Sequence, residues 1–316
     1  MRLLYDEPVI RYAAVLFVCA CAAGAVPASV DGDRDGLPDD FEQAMLMRFV
    51  PRLQISADEC DEAPALFQPG SNSPKVMRQD GTLYGQVMKS SVGGDGLALE
   101  LHYYHLWRRD CGRRGHPLDA EHVSVLVRAR QMEDPAELWK AVYWYASAHQ
   151  DTLCDVSHAV RAASIGAEEA GAAVWISAGK HASFLTEEQC RKSCGADQCD
   201  AGRALVPAAV INIGERDSLM NGAVWTESKR WAMAVKMNPD FNDVVVARVE
   251  EGTGVIPTNG SRRPVRAVIA AGGSSVGAVE NATSATEGGL SKSKSSSGNA
   301  LKKAHKKVKG WLGVGE

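Results

Sequence analysis

The sequence predicts a mainly β fold, an antiparallel β-sandwich with a short N-terminal helix and helical insertions. Two observations support this fold class. Several segments alternate apolar and polar residues with a period of two, as strands that bury one face do. These segments are short, and the connections between them are long and rich in Gly, Asn, Asp and Pro, which is typical of a sandwich.

The clearest alternation runs from Leu97 to Tyr104 and a second runs from Val142 to Ser147, so we expect half-buried strands at both places. Five more segments have the composition of strands, namely residues 121–128, 173–178, 205–213, 243–249 and 265–271. Helical spacing of apolar residues predicts a helix at residues 41–53, and helical insertions are expected near residues 134–140 and 228–235.

The chain of 316 residues divides into five segments by composition. Residues 1–28 have a basic start, an apolar run and a small-residue end, which is the pattern of a secretory signal peptide. Residues 29–53 would form a calcium-binding loop and a helix, and residues 54–271 the β-sandwich domain with a metal site. Residues 272–300 are rich in Gly and Ser and predict a flexible linker. Residues 301–316 form a basic amphipathic tail, which would either lie on an anionic membrane surface or remain solvated.

The signal pattern predicts a secreted or cell-surface protein, associated with the membrane if the tail binds it. A formal net charge of −4 gives no indication of a nucleic-acid partner. Removal of the signal leaves an even number of cysteines, which favours disulfides in an exported chain and allows 15 pairings. These cysteines are Cys60, Cys111, Cys154, Cys190, Cys194 and Cys199. A zinc site at the last three is the alternative, but the CxxC pairs of structural zinc sites are missing.

Residues 31–42 fit the pattern of a calcium-binding loop, with acidic residues at the first, third and fifth positions, Gly at the sixth and Glu at the twelfth. The expected ligands are the carboxylates of Asp31, Asp33, Asp35, Asp39 and Glu42 and the carbonyl of Leu37. The alternative is a solvated acidic turn that caps the following helix. The pattern therefore predicts a Ca²⁺ ion at this loop.

A second group of potential metal ligands consists of His116, Asp119 and Glu121, which lie close together ahead of an apolar run. On a strand, both carboxylates would share a face with the valines of residues 123–127. A buried carboxylate pair requires a cation, a shared proton or an Arg partner, and several Arg residues lie nearby in the sequence. Because the group is rich in oxygen, we expect a hard cation such as Mg²⁺, Mn²⁺ or Ca²⁺ rather than zinc.

The run from Gly115 to Glu121 has the form G-H-x-x-D-x-E and resembles the GHRHDWE heptapeptide of the secreted necrosis-inducing proteins. This resemblance implies a β-sandwich that holds a divalent metal and recognises sphingolipid head groups at a membrane. The metal ligands that it implies in this chain are His116, Asp119, Glu121 and, upstream, Asp110. The chain departs from the heptapeptide at Pro117, Leu118 and Ala120, where the family has Arg, His and Trp.

A wider resemblance, over about two thirds of the chain, is to the domain of vacuolar protein sorting-associated protein 62. Its marks are the early segment 37–50 leading to Pro51, the paired aromatics Tyr103 and Tyr104, the His-Asp-Glu segment, and residues 147–149 and 179–183. This resemblance implies a fold and a site but no activity.

His149 and His181 each follow a predicted strand and are candidates to complete the metal shell or contact a ligand, with a structural hydrogen bond as the alternative. Two functions are consistent with such a site. The cation would bridge the carboxylates to a glycan or lipid head group, or it would activate water for hydrolysis of a phosphoester or glycan, with one of these histidines as general base. Binding is favoured over catalysis because no nucleophile with its own base is visible.

Overall fold

The computed structural model describes residues 30–112, 115–150, 152, 154–193, 199–200, 202–231 and 233–258. The predicted signal peptide, the strand expected at residues 265–271, the linker and the basic tail lie outside these residues.

The described chain contains helices, strands and four short 3-10 segments. The helices are α1 (Asp39–Arg48), α2 (Glu187–Arg191) and α3 (Asp243–Glu251). The strands are β1 (Arg52–Ile55), β2 (Leu66–Phe67), β3 (Val76–Arg78), β4 (Leu83–Lys89), β5 (Ala98–Arg109), β6 (Pro117–Arg128), β7 (Lys140–Ala146), β8 (His158–Arg161), β9 (Ala173–Ile176), β10 (Ser183–Phe184), β11 (Arg203–Leu205), β12 (Val210–Asn212), β13 (Gly214–Glu215), β14 (Ser218–Leu219) and β15 (Ile256–Pro257). The 3-10 segments are Ala136–Leu138, Ala162–Ile165, Ala223–Glu227 and Met233–Lys236.

Two main sheets organise these strands, which confirms the mainly β prediction. The larger sheet has the order β12-β4-β5-β6-β7-β8-β15, and the smaller has the order β10-β9-β1-β11. Most neighbours are antiparallel, but β1 and β9 are parallel, as are β4 and β12. Two further pairs, β2 with β3 and β13 with β14, form short hairpin sheets.

The two main sheets and α1 contribute to one hydrophobic core. Ile55 of β1 and Val174 of β9 belong to the same buried cluster as Leu101 of β5 and Val125 of β6. Burial of this apolar surface is the main favourable term in folding.

Helix α1 packs closely on β4 because the strand carries a glycine there. A Cβ atom at Gly85 would lie 2.6 Å from Cδ1 of Leu46, well inside van der Waals contact. The hydroxyl of Tyr103 on β5 also donates a hydrogen bond to the Leu46 carbonyl at 3.0 Å. The helix predicted at residues 41–53 is therefore present, although it ends at Arg48, ahead of Pro51.

The expectation of half-buried strands is wrong for β5, of which ten consecutive residues are buried. The chain after β12 covers the outer face of the larger sheet, where Tyr104 packs in one cluster with Trp225 and Tyr145 packs in another with Phe241. Apolar and polar residues do alternate along β5, but the polar positions are buried as well, because the chain after β12 covers them.

Residues 243–249, predicted as a strand, form helix α3 instead. The side chain of Asn242 caps the helix by accepting a hydrogen bond from the Val245 backbone N–H at 2.9 Å. Val245 and Val249, four residues apart, are the buried positions, so the valine run packs with helical rather than strand spacing. The segment predicted as one strand at 205–213 contains only the last residue of β11 and the whole of β12, with Pro207 between them.

Disulfides join Cys60 to Cys111 and Cys190 to Cys199, and Cys154 is disulfide-bonded as well. Cys194 lies outside the described residues. The alternative of a zinc site at the last three cysteines is wrong, because Cys190 and Cys199 are paired with each other. Within the described ranges, no helix has the length and apolar character needed to cross a membrane.

Candidate cation and head-group site

Strand β6 places two carboxylates at the end of a core-facing row. It pairs with β5 in continuous register from Asp119 to Val127, so alternate residues share a face. Val123 and Val125 of this face lie in the main hydrophobic core. Asp119 and Glu121 continue the row toward the surface and are each 9% exposed.

His181 joins Asp119 to a carboxylate from a distant loop. Its Nδ1 lies 2.8 Å from Oδ2 of Asp119, and its Nε2 lies 3.2 Å from Oε1 of Glu59. The imidazole ring stacks on Trp107, with ring centroids 4.1 Å apart. Burial alone would lower the pKa of His181, but the hydrogen bonds to the two carboxylates outweigh it and raise the pKa to about 9. His181 is therefore protonated at neutral pH, and both of its ring nitrogens are engaged.

Glu59 is held by the backbone as well as by His181. One of its oxygens accepts hydrogen bonds from the N–H groups of Cys60 at 2.6 Å and Asp61 at 3.1 Å, and the other accepts from Gly179 at 2.9 Å. The Cys60–Cys111 disulfide ties this loop to the chain just after β5. Sequence reasoning missed Glu59, and the signal that could have found it was this cysteine pairing.

Glu121 contacts a hydroxyl and a lysine. Its Oε2 accepts a hydrogen bond from Oγ of Ser147 at 2.5 Å, and its Oε1 lies 3.8 Å from Nζ of Lys236. The same ammonium donates to the carbonyl of Ala120. Burial raises the pKa of Glu121 against the opposing charge of Lys236, with Asp119 and His149 as further influences. His149, with its left-handed φ of 54°, thus acts electrostatically on Glu121 from the turn after β7.

His116 and Asp110 lie near the connection between β5 and β6. Nε2 of His116 is 3.8 Å from Oδ2 of Asp110, and Nδ1 contacts the Leu118 carbonyl at 3.0 Å. The His116 side chain is 57% exposed. Among the described residues, no group of three ligand atoms within 4.8 Å of one another combines His116 with Asp119 and Glu121. The structure thus gathers Asp119 with Glu59 and His181, and leaves His116 nearer the solvent.

The neighbouring arginines that the structure describes do not contact the acid pair. Arg108 and Arg109 contact Asp61 instead, at 3.0 and 3.6 Å. Arg113 and Arg114 lie outside the described residues. The cations beside Asp119 and Glu121 in the described chain are His181 and Lys236, and nothing in the sequence around Lys236 indicated this role.

The predicted calcium loop forms a separate acidic group beside β4 and β12. Ligand atoms of Asp31, Asp33 and Asp39 lie within 4.8 Å of one another, as do those of Asp33, Asp35 and Glu42. Lys89 of β4 donates to the carbonyl of Asp35 at 2.5 Å, and Asn212 of β12 donates to Oε2 of Glu42 at 3.0 Å.

No family model and no curated protein matches this chain. Solved structures of necrosis-inducing proteins show a partial similarity. NLPPya in complex with glucosamine is 19% identical over 69% of this chain and 88% of that chain, with a TM-score of 0.35. NLPPya in complex with mannosamine is 18% identical over 68% and 91%, also with a TM-score of 0.35. Necrosis and Ethylene inducing Protein 2, from the causal agent of cocoa's Witches Broom disease, is 17% identical over 72% and 98%, again with a TM-score of 0.35. Similarities at this level assign neither a family nor an activity.

Proposed function

We propose that this is a secreted protein that recognises a glycan or lipid head group through a divalent cation bound beside Asp119 and Glu121. The observation that carries the proposal is the pair of buried carboxylates, Asp119 and Glu121, that share one face where β6 leaves the core. Glu59, Asp119 and Glu121 lie in one region, and the positive groups that contact them are His181 and Lys236. The disulfides support an exported protein, because such bonds form and persist in oxidising compartments.

The donor set suits a hard cation. Carboxylate oxygens are the ligands that Ca²⁺, Mg²⁺ and Mn²⁺ prefer, and these ions also accept hydroxyl or phosphate oxygens from a head group. Lys236 contacts Glu121 from a flexible side chain, so its ammonium would have to move aside when a cation binds there. His181 orients Asp119 and Glu59 through its two ring nitrogens, and the exposed His116 is available to a bound head group.

The geometry argues against His181 as the general base of a hydrolysis. A general base must be unprotonated at the working pH and free to take a proton. His181 meets neither condition, because both of its ring nitrogens contact carboxylates and its pKa is raised to about 9 by those hydrogen bonds, against the effect of burial.

The test is binding of the purified protein to immobilised amino sugars and to vesicles that carry glycosylated sphingolipid, measured with Ca²⁺, Mg²⁺ or Mn²⁺. We expect Asp119→Asn and Glu121→Gln to weaken binding about tenfold or more. Glu62→Gln is the matched control, because Glu62 is exposed and lies in the same loop as Glu59. Glucosamine and mannosamine are the first sugars to test.

Substitutions are a more specific test of this proposal than a chelator, because EDTA would also remove an ion bound at residues 31–42. Metal content of the folded variants, measured by elemental analysis, should fall with Asp119→Asn and remain with Glu62→Gln. Equal head-group binding by the wild type, Asp119→Asn and Glu121→Gln would contradict the proposal.

A further inference from the structure

The loop at residues 31–42 is folded around a single carboxylate. Asp33 belongs to both groups of converging ligand atoms, one with Asp31 and Asp39 and the other with Asp35 and Glu42. The loop therefore brings together the five carboxylates that the calcium-loop pattern uses. Gly36, at the sixth position of the pattern, has a left-handed φ of 85°, as the sharp turn of such a loop requires.

Buried oxygens at the centre of this group lack a hydrogen bond of normal geometry within the described part of the chain. Asp33 is 5% exposed, and no side chain donates to its carboxylate there; only the backbone N–H groups of Asp33 and Asp35 approach it, outside normal hydrogen-bond geometry. Glu42 is fully buried, and its Oε1 has no hydrogen-bond partner there. Buried polar atoms are normally paired, and a buried carboxylate without a partner is costly. These oxygens are an observation independent of the sequence pattern, and they indicate a missing positive charge.

The surrounding hydrogen bonds hold the loop while leaving oxygens free to face an ion. Asp31 accepts from the Gly36 N–H at 3.1 Å, Asp35 from the Leu37 N–H at 2.6 Å, and Asp39 from the Gly32 N–H at 2.7 Å. Each of these bonds uses one oxygen of its carboxylate. The nearby ammonium of Lys89 donates to a backbone carbonyl, that of Asp35.

From this arrangement we infer that residues 31–42 bind a Ca²⁺ ion that fastens α1 to the edge of the larger sheet. The ligands are carboxylate oxygens of Asp31, Asp33, Asp35, Asp39 and Glu42, a set of hard oxygen donors that suits the six to eight ligands of Ca²⁺. This site is separate from the proposed head-group site and does not depend on it.

The same residues connect the ion to the edge strand β12. Oε2 of Glu42 accepts from the side-chain amide of Asn212, and the next residue of α1, Gln43, donates to the Val210 carbonyl at 3.1 Å. Strand β12 is three residues long and lies at the end of the sheet. An ion that fixes Glu42 therefore fixes the contact between α1 and this short strand, so Ca²⁺ should stabilise the whole fold.

Thermal unfolding of the full secreted chain in CaCl₂, MgCl₂ or EDTA tests the inference, together with calcium content by elemental analysis. We expect saturating Ca²⁺ to raise the Tm by about 5–10 °C over EDTA, with a smaller effect of Mg²⁺. In an Asp119→Asn background, where an ion at the head-group site no longer contributes, Glu42→Gln and Asp33→Asn should each abolish the shift. Asp40→Asn is the matched control, because Asp40 is an exposed carboxylate in the same loop at a position that the pattern does not use.

A second comparison separates loss of the ion from simple damage to the fold. In EDTA, Glu42→Gln should melt no lower than the wild type, because the substitution keeps a side chain of the same shape whose oxygen can still accept from Asn212. The inference is overturned if the wild type melts at the same temperature in Ca²⁺ and EDTA. It is overturned equally if Glu42→Gln and Asp33→Asn keep the shift in the Asp119→Asn background. This experiment measures unfolding and calcium content, not head-group binding. Failure of this inference can therefore be distinguished from failure of the proposed function.

Discussion

The buried histidines differ in charge because their ring nitrogens have different partners. His181 lies between two carboxylates and is protonated. His158 has only neutral partners: Nδ1 lies 3.0 Å from the Val156 carbonyl, and Nε2 accepts from the Leu185 N–H at 3.1 Å. Burial lowers the pKa of His158 to about 4, so the folded protein keeps this ring neutral.

His158 should make stability fall as the solution becomes acidic. The unfolded chain takes up the proton near the ordinary pKa of 6.5, whereas the folded chain takes it up only near 4, so the contribution is complete above 6.5 and is lost between 6.5 and 4. We expect the wild type to lose about 2 kcal/mol from this group between about pH 7 and about pH 5. His158→Gln, which offers an acceptor to Leu185 but does not titrate, should lose less in urea unfolding. An identical pH dependence of the two proteins would contradict this assignment.

Among the elements, α3 shows how capping and tertiary contacts decide between helix and strand. Its sequence is a valine run with strong β propensity, and β-branched residues are weak helix formers. Asn242 caps the first turn, and the outer face of the larger sheet accepts Val245 and Val249. These two contributions outweigh the propensity of the valines.

Loss of the cap should therefore destabilise the protein measurably. Asn242→Ala leaves the Val245 N–H without its side-chain acceptor, and we expect it to lower the free energy of unfolding by about 1 kcal/mol. Val244→Ala is the control in the same turn, since Val244 is 56% exposed, and its effect should stay within about 0.5 kcal/mol. Chemical denaturation measures both. A larger loss for Val244→Ala than for Asn242→Ala would show that the cap does not stabilise α3.

Across the whole molecule, two disulfides have both cysteines within the described residues, and they span very different lengths of chain. Cys60 and Cys111 are separated by 51 residues, and Cys190 and Cys199 by 9. The longer link restricts the unfolded chain more, and it also fastens the loop of Glu59 beside the β5–β6 connection.

Removing the two links should have unequal effects on stability. Replacing Cys60 and Cys111 by Ser should lower the free energy of unfolding by about 4 kcal/mol, and replacing Cys190 and Cys199 by Ser should lower it by about 2.5 kcal/mol, from the entropy of the unfolded chain. Urea unfolding of the two double variants under oxidising conditions makes the comparison. The reverse order would show that native contacts, rather than chain restriction, dominate the effect.

Local patterns were sufficient for several parts of the structure. Helix α1 and strands β5 and β7 follow from residue periods of 3.6 or two, and strands β6 and β9 follow from composition. The common face of Asp119 and Glu121 follows from the strand period. The residues that contact Asp119 and Glu121 could not be predicted from such local patterns. Glu59 and His181 are 122 residues apart and meet through a loop, and Lys236 reaches Glu121 from a 3-10 segment that covers the sheet.

The sequence by itself therefore determined the strand period that aligns Asp119 with Glu121, and the loop spacing that gathers carboxylates at residues 31–42. Both depend on backbone geometry within a dozen residues. Only the tertiary structure decided which charges meet those carboxylates: His181 and Lys236 at the first group, and no described cation at Asp33 and Glu42. The physical reason is that burial and charge compensation depend on segments far apart in the chain, which are brought together when the two sheets and their outer cover pack.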